Sequence, residues 1–134
     1  MRWLVGLPLV FSLGACALIQ PRSAGQGFPV FFQPTSAVIA NGAAGTVDAA
    51  AKFANNHADE PVILSAYMAP PGHHYVESPG IDTARAQAVT AQLVADGVDP
   101  SRISIKPNGE IQPEVPMSKI EVRRVDIIVG VPGS

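Results

Sequence analysis

A single cysteine, Cys16, is the whole thiol content of the chain, so no disulfide can form within it. The fold must then rest on its core alone, with no covalent staple. Charge is also scarce: Asp, Glu, Lys and Arg make up 15% of the residues, and the formal net charge is −2 with His neutral. With no basic excess to meet a phosphate backbone, composition excludes nucleic-acid binding by charge. The apolar stretch 3–13 is too short to cross a bilayer, and neither an internal repeat nor a heptad pattern is present. His73 and His74 are adjacent in a Pro-Gly segment, and no second Cys/His group stands at ligand spacing, so no metal is expected. A nucleophile elbow is missing too: Ser65 falls in an apolar run and Ser78 near no strand-to-helix turn. Neither a cofactor nor enzymatic activity is expected.

What the chain does have begins at its N-terminus. Arg2 supplies a positive charge, residues 3–13 an apolar stretch, and Gly14-Ala15-Cys16 two small residues before the cysteine. This pattern resembles a bacterial lipobox, the end of an export signal. The resemblance implies cleavage after residue 15 and lipidation of Cys16, which consumes the lone thiol; an ordinary secretory cut near Ala15 or Ala17 is the alternative. Several acyl chains hold a membrane stably where one binds marginally. Lipoprotein sorting logic, again by resemblance, reads Ala17 as favouring the outer membrane. Loss of residues 1–15 removes Arg2 and leaves 8 basic residues against 11 acidic, a net of −3. Residues 16–27 form the lipidated cysteine and a tether of small, Pro/Gly/Gln-rich character, and residues 28–134 form one domain.

Within that domain, Val30-Phe31-Phe32 reads as a short strand. Val47, Ala50, Ala51 and Ala54 recur at helical spacing within 41–56, with Asn55-Asn56-His57 as a frayed end. The run Pro61 to Tyr67 is a buried central strand, and residues 68–80 are a loop. Asp82 is placed to cap a helix whose stripe is Ala86, Val89, Leu93 and Val94, closed by Gly97. Ile103 and Ile105 alternate with polar residues in a half-exposed strand; residues 107–118 are a loop, and 119–129 the last strand. Arg123 and Arg124 alternate across that strand, which predicts one ion-paired arginine and one solvated one. The order β-α-β-α-β-β makes an α/β class domain, an α+β sandwich of two helices on one face of a mixed sheet.

Residues 28–130 resemble the OmpA-like domain, the peptidoglycan-associating module of Gram-negative envelopes. Val47-Asp48 stands for the family's Leu-Asp, and residues 62–72 for its strand and loop. The run Ile81-Asp82-Thr83-Ala84-Arg85-Ala86-Gln87-Ala88-Val89 is similar to Leu-Ser-x-x-Arg-Ala-x-x-Val. Asn108-Gly109-Glu110 and Arg123-Arg124-Val125-Asp126-Ile127 resemble its late Gly-Glu and Arg-Arg-Val-Glu-Ile runs. The resemblance implies non-covalent binding of diaminopimelate in an uncrosslinked stem peptide. An aspartate pairs with the ligand's ammonium and an arginine fork with its carboxylate.

The resemblance puts the ligand site at Arg85, Asp82, Ala69 and Ile81. The arginine is present, but Ala69 stands where the family has its aspartate, Ala66 at the strand glycine, and Ser78 and Val122 at two asparagines. A charge-assisted hydrogen bond is worth about 1.5–3 kcal/mol, so this loss weakens binding by about one to two orders of magnitude. Asp82 either reaches the ammonium in compensation or caps the helix and touches Arg85; Glu77 is a weaker candidate. Two functions follow: an outer-membrane lipoprotein tethering the envelope to peptidoglycan, or a degenerate module that binds an envelope protein partner. The first predicts Arg85 facing the loop 68–80 with room for a stem peptide. The second predicts Met68-Ala69-Pro70-Pro71 exposed as a contact patch.

Overall fold

The computed structural model describes residues 25–72, 75–111 and 121–131. The residues read as export signal, lipidation site and most of the tether lie outside these, as do His73 and His74. The elements are β1 (Gln26–Phe31), α1 (Asn41–Asn56), β2 (Val62–Met68), α2 (Ile81–Ala95), a 3-10 turn (Pro100–Arg102), β3 (Ile103–Glu110) and β4 (Arg124–Val129). The expected order and class hold: two helices pack on a four-stranded mixed sheet. Strand β1 begins at Gln26, inside the stretch read as tether.

The sheet order is β1-β4-β2-β3. Strand β4 runs antiparallel to both β1 and β2, and β3 runs parallel to β2. Alternation sets the faces: Val125, Ile127 and Val129 of β4 are buried while Arg124, Asp126 and Ile128 are half-buried. Strand β2 puts Val62, Leu64, Ala66 and Met68 under the helices. Strand β3 is longer than its isoleucine alternation suggested and runs through Pro107, which an edge strand tolerates because its outer N–H needs no partner.

Helix α1 buries Val47, Ala50, Ala51 and Ala54, the residues its periodicity singles out. Its C-terminus is not frayed. The Arg102 guanidinium donates to the carbonyls of Ala54 (3.0 Å), His57 (2.8 Å) and Glu60 (2.7 Å), satisfying acceptors a helix end leaves open. Helix α2 buries Ala86, Val89 and Leu93, with Val94 turned outward. It ends in a Schellman motif: the Gly97 N–H donates to Val94 O (3.0 Å) and the Val98 N–H to Leu93 O (3.0 Å). Gly97 takes φ +95, a conformation that side chains rarely adopt, and Val98 is buried beneath it.

Strands β1, β2 and β3 all end at one edge of the sheet, where β4 begins: Phe31 pairs with Arg124, Ala66 with Val125 and Met68 with Glu110. Both helices start from that edge. In α/β sheets, ligands bind at the carboxyl ends of strands, so this edge is where a site is expected.

Candidate functional site: a buried Arg85–Glu77 clasp

Arg85 sits on the first turns of α2, four residues after Ile81, and is fully buried at 0% exposure. An unpaired guanidinium there would be prohibitively desolvated, so its partners define the site. All five N–H groups are engaged. Nε donates to Ser36 O (2.9 Å), Nη2 to Gln33 O (3.3 Å) and Nη1 to Tyr67 O (3.5 Å). The remaining two meet Glu77 in a bidentate fork: Nη1 donates to Oε2 (3.1 Å) and Nη2 to Oε1. The Phe32 ring lies 5.4 Å from the guanidinium carbon.

Glu77 is 6% exposed and accepts two further bonds from backbone amides, Ala69 N–H to Oε2 (2.8 Å) and Thr35 N–H to Oε1 (3.4 Å). Thr35 holds a φ of +53, strained for a β-branched residue, at the point where its amide turns to the carboxylate. Burial pushes the Glu77 carboxyl upward, but the bonds from Arg85 and the two amides outweigh it and hold the group below its ordinary value. One arginine and one glutamate thus join the loop after β1, the end of β2 and the loop before α2.

Arg123 stands beside this pair. It is 7% exposed rather than solvated, and its Nε donates to Phe32 O (3.3 Å) while its carbonyl accepts from the Phe32 N–H (2.8 Å). It precedes β4, so strand alternation does not govern it. Burial lowers its affinity for the proton; nearby Glu77 opposes this and Arg85 adds to it. Arg124 is the ion-paired member, bound to Asp126 (3.0 Å) and lying over the Tyr67 ring (4.9 Å).

Asp82 does not cap α2. The cap position is Gly80, in the left-handed region at φ 84, and makes no side-chain bond. Asp82 is buried in the first turn, where its Oδ2 accepts from the Gly109 N–H (2.9 Å), tying α2 to the end of β3. Ile81, the first residue of the helix, is buried. Ala69 is buried too and contributes its backbone amide, not a side chain. Arg85 does face the loop, but Glu77 fills the space in front of the fork. The nearby open cleft, about 400 Å³, lies elsewhere, between β1 and the start of α1. Met68 and Ala69 are buried, so the Met-Ala-Pro-Pro stretch is not an exposed patch; only its proline end reaches solvent. Among the described residues, no group of three or more His, Cys, Asp or Glu could hold a metal.

Glu77, the weaker of the two carboxylates weighed from the sequence, is the one that meets Arg85. It lies eight positions from Arg85 in a loop, where no helical or strand spacing applies. The signal was available: it is the only acidic residue in the segment 68–80.

The fold matches solved structures at low identity. The periplasmic domain of Helicobacter pylori MotB superposes with a TM-score of 0.67 at 17% identity, covering 83% of this chain and 76% of that one. The OmpA-like domain of FopA1 from Francisella tularensis gives 0.65 at 18%, covering 79% and 72%. The peptidoglycan-associated lipoprotein from Burkholderia pseudomallei gives 0.64 at 16%, covering 75% and 88%. Curated proteins gave no match. The OmpA family profile matches residues 31–126, from the last residue of β1 into β4, and the chain belongs to the OmpA family.

Proposed function

We propose that this chain is a lipid-anchored envelope protein whose OmpA-family domain associates non-covalently with peptidoglycan, and that Arg85 receives the stem-peptide carboxylate. The observation that carries this reading is the Arg85 fork, fixed at the loop edge and already shaped around a carboxylate. A planar guanidinium matches a carboxylate bidentately, and the amides of Ala69 and Thr35 add donors aimed at the same oxygens. No bond is made or broken; the chemistry is charge and hydrogen-bond complementarity. The geometry also suits a tether. If Cys16 is the anchor, the ten residue steps from it to Gln26 span at most roughly 36 Å when extended. Gln26 pairs with Val129 at the edge opposite the site, so the site points away from the anchored end.

One observation favours a second reading, in which the module has given up the stem peptide for an envelope protein partner: the fork is filled by the chain's own Glu77. Co-sedimentation with purified sacculi separates the two. The chain from residue 16, carrying Cys16→Ser, pellets with sacculi and is released by free meso-diaminopimelate under the first reading. Retention in the supernatant at all sacculus concentrations, for this protein and for Glu77 variants alike, would sink it.

A further inference from the structure

We propose that Glu77 is an internal surrogate for a ligand carboxylate: its side chain occupies a general carboxylate cradle, and an external carboxylate binds by displacing it. This rests on reading Arg85 as the carboxylate receiver and adds how that site is regulated.

The cradle is made by groups other than Glu77. Ser36 O, Gln33 O and Tyr67 O hold the guanidinium from loop and strand backbone, fixing the direction of its fork. The Ala69 and Thr35 amides converge on the same place from two different loops. Together they present four donors to one carboxylate, whichever molecule supplies it.

The element that delivers Glu77 is otherwise lightly held. Its neighbours Tyr75 and Val76 are 59% and 81% exposed, and Ser78 and Pro79 are exposed as well. Among the described residues, the Ile81 N–H donated to Ser78 O (3.2 Å) is a second tie, and exposed segments of this kind open locally at lower cost than the core. Displacement exchanges one carboxylate for another on the same donors, so the intrinsic change is small. What opposes the ligand is the local concentration of Glu77, about millimolar or higher for a carboxylate on a short loop. Apparent affinity falls by the fraction of molecules in the open state. The charged groups facing Glu77 are Arg85 from α2 and Arg123 from the approach to β4; both favour an anion there, whether internal or external.

Acetate rescue tests this directly. Glu77→Ala empties the cradle and leaves Arg85 buried. Sodium acetate, titrated at pH 7 against sodium chloride of equal ionic strength, raises the melting temperature of Glu77→Ala saturably and leaves the wild type unmoved. If the variant does not fold alone, acetate-dependent refolding gives the same reading. Glu77→Gln, which keeps the side-chain volume and one acceptor oxygen, is the second variant. It binds sacculi about tenfold more tightly than the wild type, because the charged competitor is gone. No acetate effect beyond chloride on Glu77→Ala overturns the surrogate role. Equal sacculus affinity of Glu77→Gln and wild type overturns displacement as the route of binding. Acetate rescue with no sacculus binding by any form leaves the surrogate standing and removes peptidoglycan as the ligand.

Discussion

Glu77→Ala lowers the unfolding free energy by about 3–5 kcal/mol, the expected cost of leaving a buried charge without its partner. Arg85 has no exposed surface while Glu77 is in place, and water entering the vacated space offers only neutral acceptors where a carboxylate had met the fork. The Ala69 and Thr35 amides lose their acceptor at the same time. Set against a typical total of about 5–15 kcal/mol, this is a large fraction of the domain's stability. The melting temperature falls by roughly 10–20 °C for a domain of this size. Replacing both partners together, as Glu77→Leu with Arg85→Met, recovers most of the loss, since an apolar pair of similar volume removes the desolvated charges altogether. Chemical denaturation of the two single variants and the double variant measures the coupling. A Glu77→Ala variant within about 1 kcal/mol of wild type would mean the clasp is open in solution.

Leu64→Ala costs about 2–5 kcal/mol, the range for emptying a fully buried leucine site. Position explains why this leucine matters. It lies on β2 between Ile127 of β4 and Ile105 of β3, beneath both helices. Many of its neighbours are alanines: Ala50, Ala51, Ala54, Ala66 and Ala86 are all buried. Small residues bring helix close to sheet but bury little area each, so the few large side chains supply most of the apolar burial. Ile63, next in sequence, is half-buried on the opposite face. Ile63→Ala is the control, with an effect of about 1 kcal/mol, and urea denaturation of both variants ranks them. Equal losses at the two positions would contradict the assignment of faces.

Where period and burial coincide, the sequence was readable. Helix α1 buries the four residues its spacing marks, and Gly97 closes α2 as its place in the pattern requires. Elements governed by other physics were not. Strand β3 continues through Pro107 because an edge position removes the usual penalty, and edge status depends on topology. Helix α2 starts at Ile81, one residue before Asp82, and its cap position is Gly80 in a left-handed conformation with no side-chain cap bond. Asp82 was thereby freed to bond Gly109, a contact across 27 residues that no local rule indicates. The arginine of the site was legible through its motif. Its partner was not, because a loop carboxylate meets its guanidinium through the closure of two loops rather than through any repeat. The physical clue is that a buried arginine demands a carboxylate, and residues 68–80 hold only one.

The sign of the Glu77 pKa shift is the most direct test of the clasp. Burial alone raises a carboxyl above its ordinary value of 4.5, whereas engagement by Arg85 and two amides lowers it below that value. A carboxyl-carbon NMR titration of the wild-type chain reads the sign without a mutation. The clasp predicts titration below 4.5, and stability that is complete above the unfolded-state value near ~4.3 and is lost as pH falls through the folded-state value. A Glu77 carboxyl titrating at or above 4.5 would contradict it, leaving Arg85 open to an external carboxylate in the resting protein.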